Sequence, residues 1–123
     1  MANIVETSTP PNTPAPIGPY SHVAKVGPFL SIGGIAGVGS DAYSQAREIL
    51  RSFRVCLESA GSDLHHVLHI NVFLKSMSDF EEMNRAYVEM MGDHRPARTV
   101  IGVHELPKTG ALLTMNLTAV TRD

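Results

Sequence analysis

Two one-sided helical stripes, with a strand-like run between them, constrain this chain more than any other feature. Ala46, Ile49, Leu50, Phe53, Cys56, Leu57 and Ala60 recur at three- and four-residue spacing, which lays them along one side of a helix. The spacing predicts a helix from Asp41 to Ala60, stopped by Gly61, because glycine accepts the left-handed backbone just past a helix end. Phe80, Met83, Tyr87, Met90 and Met91 form a second stripe, expected to open at Ser78 and to end at Gly92. Glu81, three residues after Ser78, completes a capping-box signature. The methionines read as gap-filling core. Cys56 reads as a small core residue, since a reactive thiol needs exposure and a cationic neighbour.

Such helices need a surface to bury against, and the rest of the chain supplies strands. Ser21 to Val26 alternates loosely and breaks at Gly27-Pro28, a turn signal, and Phe29 to Ile35 follows as its hairpin partner. Gly33 and Gly34 within that second strand indicate a bulge or a close backbone approach. Val67 to Leu74 reads as a strand with Leu68, Ile70, Val72 and Leu74 on one face. Arg98 to His104 and Leu112 to Thr121 complete the set, the last with Leu113, Met115, Leu117 and Ala119 on its apolar face. The expected fold is α+β, a two-layer mixed sheet covered on one face by two helices. The second face, with Val100, Thr114, Asn116 and Thr118, is half apolar, and such a face packs on something. For a chain this small, another copy of itself is the expected cover.

The 123 residues suit one domain, 1–123, with no internal repeat. The net charge of -2, with basic residues spread singly, gives no nucleic-acid footprint. No apolar stretch reaches a membrane span, and Met1 to Glu6 lacks the pattern of a secretory leader. With its one cysteine, the chain is expected in the cytoplasm. Five prolines between Pro10 and Pro19 make an extended connector, either a plain linker or a functional loop.

Candidate chemistry is sparse. His65-His66-x-x-His69 invites a metal, but strand alternation turns His66 away from His65 and His69, so no metal site is expected. Gly33, Gly34, Gly37 and Gly39 match neither dinucleotide nor phosphate-loop spacing, and no serine sits in a nucleophile elbow. Arg98 opens an apolar strand, where its fork either pairs structurally or grips an anion such as a carboxylate.

Two end motifs carry a resemblance. Ile17-Gly18-Pro19-Tyr20-Ser21 is similar to the N-terminal signature of the RidA/YjgF family. Pro96-Ala97-Arg98-Thr99-Val100, with Val103 and Leu106-Pro107-Lys108, resembles its C-terminal signature. Ala60-Gly61, Val72-Phe73-Leu74, Asp79-Phe80 and Asn84-x-x-Tyr87 fall in register between them. The resemblance implies a chorismate-mutase-like fold in a homotrimer, with sheets forming a central barrel and active sites between subunits. It implies hydrolysis of reactive enamine or imine carboxylates to 2-oxo acids and ammonia, without metal or cofactor.

Carried over by position, Arg98 is the carboxylate grip, Tyr20 shapes the cleft and Gly33 keeps a family glycine. The family's serine and glutamine beside that glycine become Ile32 and Gly34. Its water-positioning glutamate falls at Thr114 and a second strand carboxylate at Asn116. Ala111 to Arg122 holds no carboxylate at all. The expected site is therefore Arg98 and Thr114 for chemistry, with Tyr20, Gly33, Ile32, Asn116 and Arg98 binding substrate. The resemblance thus implies an altered substrate range. Its alternatives are a non-catalytic small-metabolite binder or stress-protective protein, and the endoribonuclease role ascribed to some relatives, against which the charge balance argues.

Overall fold

A computed structural model describes residues 3–123; Met1 and Ala2, where the leader was sought, lie outside the described residues. The elements run β1 (Glu6–Ser8), β2 (Val23–Val26), β3 (Phe29–Ala36), α1 (Ala42–Ser59), β4 (Val67–Leu74), α2 (Phe80–Met91), β5 (Ala97–Gly102) and β6 (Leu113–Val120). The strands form one sheet in the order β1-β2-β3-β6-β4-β5. All neighbours are antiparallel except β4 and β5, which α2 connects as a crossover. The two helices lie side by side, with their apolar stripes in one core with the sheet. This is the two-layer α+β arrangement the periodicities require.

Helix α1 starts where Asp41 accepts a 2.8 Å hydrogen bond from the Ser44 backbone N–H. That bond holds the Asp41 carboxyl below its ordinary value. The helix ends at Gly61, whose φ of +83° lets Ser62 N–H return to the Leu57 carbonyl at 2.8 Å. Phe53, Cys56 and Leu57 are fully buried beneath it. Burial pushes the Cys56 thiol up to about 11, which makes it an inert core residue.

Three expectations are corrected in detail, and one element is new. The capping box at Ser78 does not form. Ser76 instead accepts from Ser78 N–H at 3.2 Å and opens a 3₁₀ turn over Met77–Asp79, so α2 begins at Phe80. Leu68 does not share the buried face of β4. A register shift between Val67 and His69 against β6 buries Val67 and leaves Leu68 exposed. Val100 does not lie on the outer face, because β5 pairs it with Val72 and packs it against the core. The short edge strand β1 was not anticipated; its side chains are all exposed and leave no apolar alternation to read. The bulge indicated by Gly33-Gly34 is present, as a register shift between Ile32 and Ile35 against β6.

One buried polar side chain ties the loops around the sheet's end. Gln45, 1% exposed, donates to the Gly39 and Gly110 carbonyls, each at 3.1 Å, and accepts from Leu112 N–H at 2.8 Å. Gly37 makes room for it: a Cβ there would sit 2.2 Å from Gln45 Oε1.

Candidate functional site

The proline-rich connector is an ordered loop. His22 holds its start and its middle, with its backbone N–H on Thr9 Oγ1 at 3.1 Å and its ring Nε2–H on the Pro14 carbonyl at 2.5 Å. The His22 carbonyl in turn accepts from Gly33 N–H at 2.8 Å. These bonds seat Ile17, Gly18 and Tyr20 over the bulge in β3, and Tyr20 Oη donates to the Gly34 carbonyl at 3.0 Å.

Between that loop and the outer face of the sheet lies a groove of about 600 Å³. Tyr20, Gly33 and Thr114 meet in it, together with Ile17, Gly34 and Pro107. Thr114 Oγ1 donates to the Ile35 carbonyl at 3.0 Å, which leaves its lone pairs as acceptors. A Cβ on Gly33 would stand 3.6 Å from the Tyr20 ring and from the Ser21 carbonyl, an ordinary contact. The glycine there is not forced by space.

The other named residues fall elsewhere. Ile32 is corrected: it is fully buried and faces the core, because the strand's alternation points Ser31 outward, and Ser31 is the residue that lines the groove. Asn116 stands outside the groove in a polar chain across the outer face. It accepts from Asn71 Nδ2 at 2.8 Å, while His69 Nε2 lies 3.1 Å from both Asn71 Oδ1 and Thr99 Oγ1.

Arg98 is on the opposite side of the sheet from the groove. Its partner in β4 is the buried Ile70, and its guanidinium turns toward α2. There it donates to Asn84 Oδ1 at 2.8 Å and stacks 4.7 Å from the centre of the Tyr87 ring. No carboxylate among the described residues pairs with it. A structural ion pair would supply one, so the half-buried charge stays open to an anion from outside. Tyr87 is buried, its hydroxyl has no partner, and burial raises it above its ordinary value against the pull of Arg98. Asn84 and Tyr87 were not named as site residues. The signal was present in Asn84-x-x-Tyr87, because three-residue spacing puts both on the helix face that meets β5.

The histidines do not converge. His66 pairs with Asp63 at 2.7 Å and holds that carboxyl below its ordinary value, His69 joins the asparagine chain, and His65 lies against His94. Among the described residues no group of three or more His, Cys, Asp or Glu is placed to hold a metal ion. No helix among them is long and apolar enough to cross a membrane.

With this geometry in hand, comparison with known proteins decides the family. A family model described as endoribonuclease L-PSP matches residues 10–121, and the solved structure of the YjgF gene product from E. coli superposes with a TM-score of 0.88. The chain belongs to the RidA/YjgF family. That E. coli structure is 28% identical and covers 95% of this chain and 99% of its own. A RutC family protein of Pyrococcus horikoshii is 40% identical over 105 residues, 79% of this chain and 83% of the relative. A Dermatophagoides farinae protein named 2-iminobutanoate/2-iminopropanoate deaminase is 30% identical over 106 residues, 80% of this chain and 83% of the relative. As in its RidA/YjgF relatives, the sheet and helices form the α+β fold.

Proposed function

We propose that this RidA/YjgF member hydrolyses reactive imine or enamine carboxylates to 2-oxo acids and ammonia, in a site completed between copies of the chain. The observation that carries this reading is Arg98, a half-buried guanidinium with a neutral partner and no carboxylate beside it. Its kinship with a relative named as an imine deaminase supports the same chemistry. In the balanced reaction, water adds across C=N, the nitrogen leaves as ammonia, and the carbonyl oxygen comes from water.

One copy cannot bring Arg98 to the groove. Strands β6 and β4 separate β3 from β5, about 14 Å at ordinary strand spacing, and the two sites face opposite sides of the sheet. A homotrimer in which the β5 edge of one copy meets the outer face of the next would set Arg98 of the first opposite Tyr20, Gly33 and Thr114 of the second. The guanidinium would hold the carboxylate, and Thr114 would orient water through its lone pairs. Thr114 cannot take the water's proton at neutral pH, so positioning and electrostatics would carry the rate. A reading in which RNA is cut finds less support, since Arg47 and Arg51 on α1 are paired with Glu89 and Glu48.

Thr114→Glu tests the division of labour. A general base is typically worth about 10²–10⁴-fold, so the variant is expected to raise kcat on a small imine such as 2-iminobutanoate by at least tenfold. Gly34 leaves the room, its virtual Cβ standing 3.6 Å from Thr114 Oγ1. An unchanged or lower kcat in a folded variant would remove Thr114 from the water's position.

A further inference from the structure

We infer that the groove selects imine carboxylates bearing long or ring-containing, uncharged side chains, and that Gly34 is the residue that sets this selectivity. The inference rests on the proposed function for the carboxylate end of the ligand. Its own ground is the wall that the rest of the ligand would meet.

None of the groove's lining residues carries a charge at neutral pH. Ile17, Ala24, Pro107 and the Tyr20 ring supply apolar surface. The hydroxyl protons of Tyr20 and Thr114 are already given to the Gly34 and Ile35 carbonyls, and Ser21 and Ser31 bring neutral hydroxyls but no charge. A buried carboxylate or ammonium on the ligand would find no counter-charge here, and an unpaired charge is costly to desolvate.

Size points the same way. In a single copy the groove measures about 600 Å³, within the roughly 300–1,000 Å³ of pockets that bury drug-sized ligands; the next copy would close its open side, and the floor is the part this chain alone sets. The floor is open because position 34 has no side chain and position 114 has a short one. A Cβ on Gly34 would meet only Thr114 Oγ1, at 3.6 Å. Gly34 has no positive φ, so a side chain there is unstrained and would grow from the groove floor. A missing or extra methylene in an apolar pocket is worth roughly 10–200-fold in specificity.

The test uses the full chain and two readouts. Imines of alanine, leucine, phenylalanine, glutamate and lysine are generated in situ by an amino-acid oxidase, and kcat/KM is measured for each. The corresponding 2-oxo acids are titrated by calorimetry, which needs no turnover. The leucine- and phenylalanine-derived compounds are expected to exceed the alanine-, glutamate- and lysine-derived ones at least tenfold in either readout. Gly34→Leu, checked for an unchanged melting curve, is expected to remove that preference, bringing the leucine- and phenylalanine-derived compounds down to the level of the alanine-derived one.

If no imine is accelerated but the 2-oxo acids bind in this order, the hydrolytic reading fails and the selectivity stands. Equal or reversed preference in the unmodified protein overturns the selectivity even where hydrolysis is found, as does a panel in which no 2-oxo acid binds and no imine is turned over. Preference retained in a folded Gly34→Leu variant removes Gly34 from the assignment.

Discussion

Arg98 and Cys56 show how differently two sequence singularities resolve once neighbours are known. Arg98 was legible as a fork opening an apolar strand, yet its choice between a structural pair and an anion depended on α2, whose Asn84 is neutral. Cys56 was legible from its place on the α1 stripe alone. Its thiol, pushed up to about 11 by burial, stays protonated through neutral pH, and raising the pH toward that value is what would generate thiolate. The native protein at pH 8 is therefore expected to react with a thiol reagent at least 100-fold more slowly than the unfolded chain. Reaction of native Cys56 at the rate of a free thiol would contradict its burial. Ile32 and Ser31 mark the limit of positional carry-over. Side-chain direction on β3 follows strand alternation, which sends Ile32 into the core and Ser31 into the groove.

Both helices, and the strands they cover, were legible because their apolar periods match 3.6 and 2 residues. The misreadings fall where a local irregularity breaks a period. The shift at Val67 and Leu68 exchanges the two faces for one residue, and Ser76 takes the capping position expected of Ser78. Neither leaves a compositional mark. Gln45 was invisible for a related reason: it is a polar residue in a helix whose three partners come from distant loops. Gln45→Leu would leave Leu112 N–H and two carbonyls unpaired, and each buried unmet group costs about 1–3 kcal/mol. Chemical denaturation is expected to show a loss of at least 2 kcal/mol. A loss under 0.5 kcal/mol would mean that water reaches these groups and the tie is not structural.

At the scale of the whole molecule, the outer sheet face still wants a cover. Phe29, Leu68 and Ile101 are exposed large apolar side chains on this chain, while Thr114, Asn116 and His69 are half-buried polar ones. Light scattering at micromolar concentration is expected to give three times the chain mass. A monomer there would leave Arg98 and the groove on opposite faces of the sheet, with no route to one site. The direct measurement is release of ammonia and 2-oxo acid from a freshly generated 2-imino acid, with the unmodified protein, with Arg98→Ala and with no protein. Acceleration over the spontaneous rate is expected from the unmodified chain, and a return to that rate is expected from Arg98→Ala with its fold and assembly intact. No acceleration by the unmodified chain, or full activity in Arg98→Ala, would contradict the carboxylate-anchored hydrolysis of imines proposed for this protein.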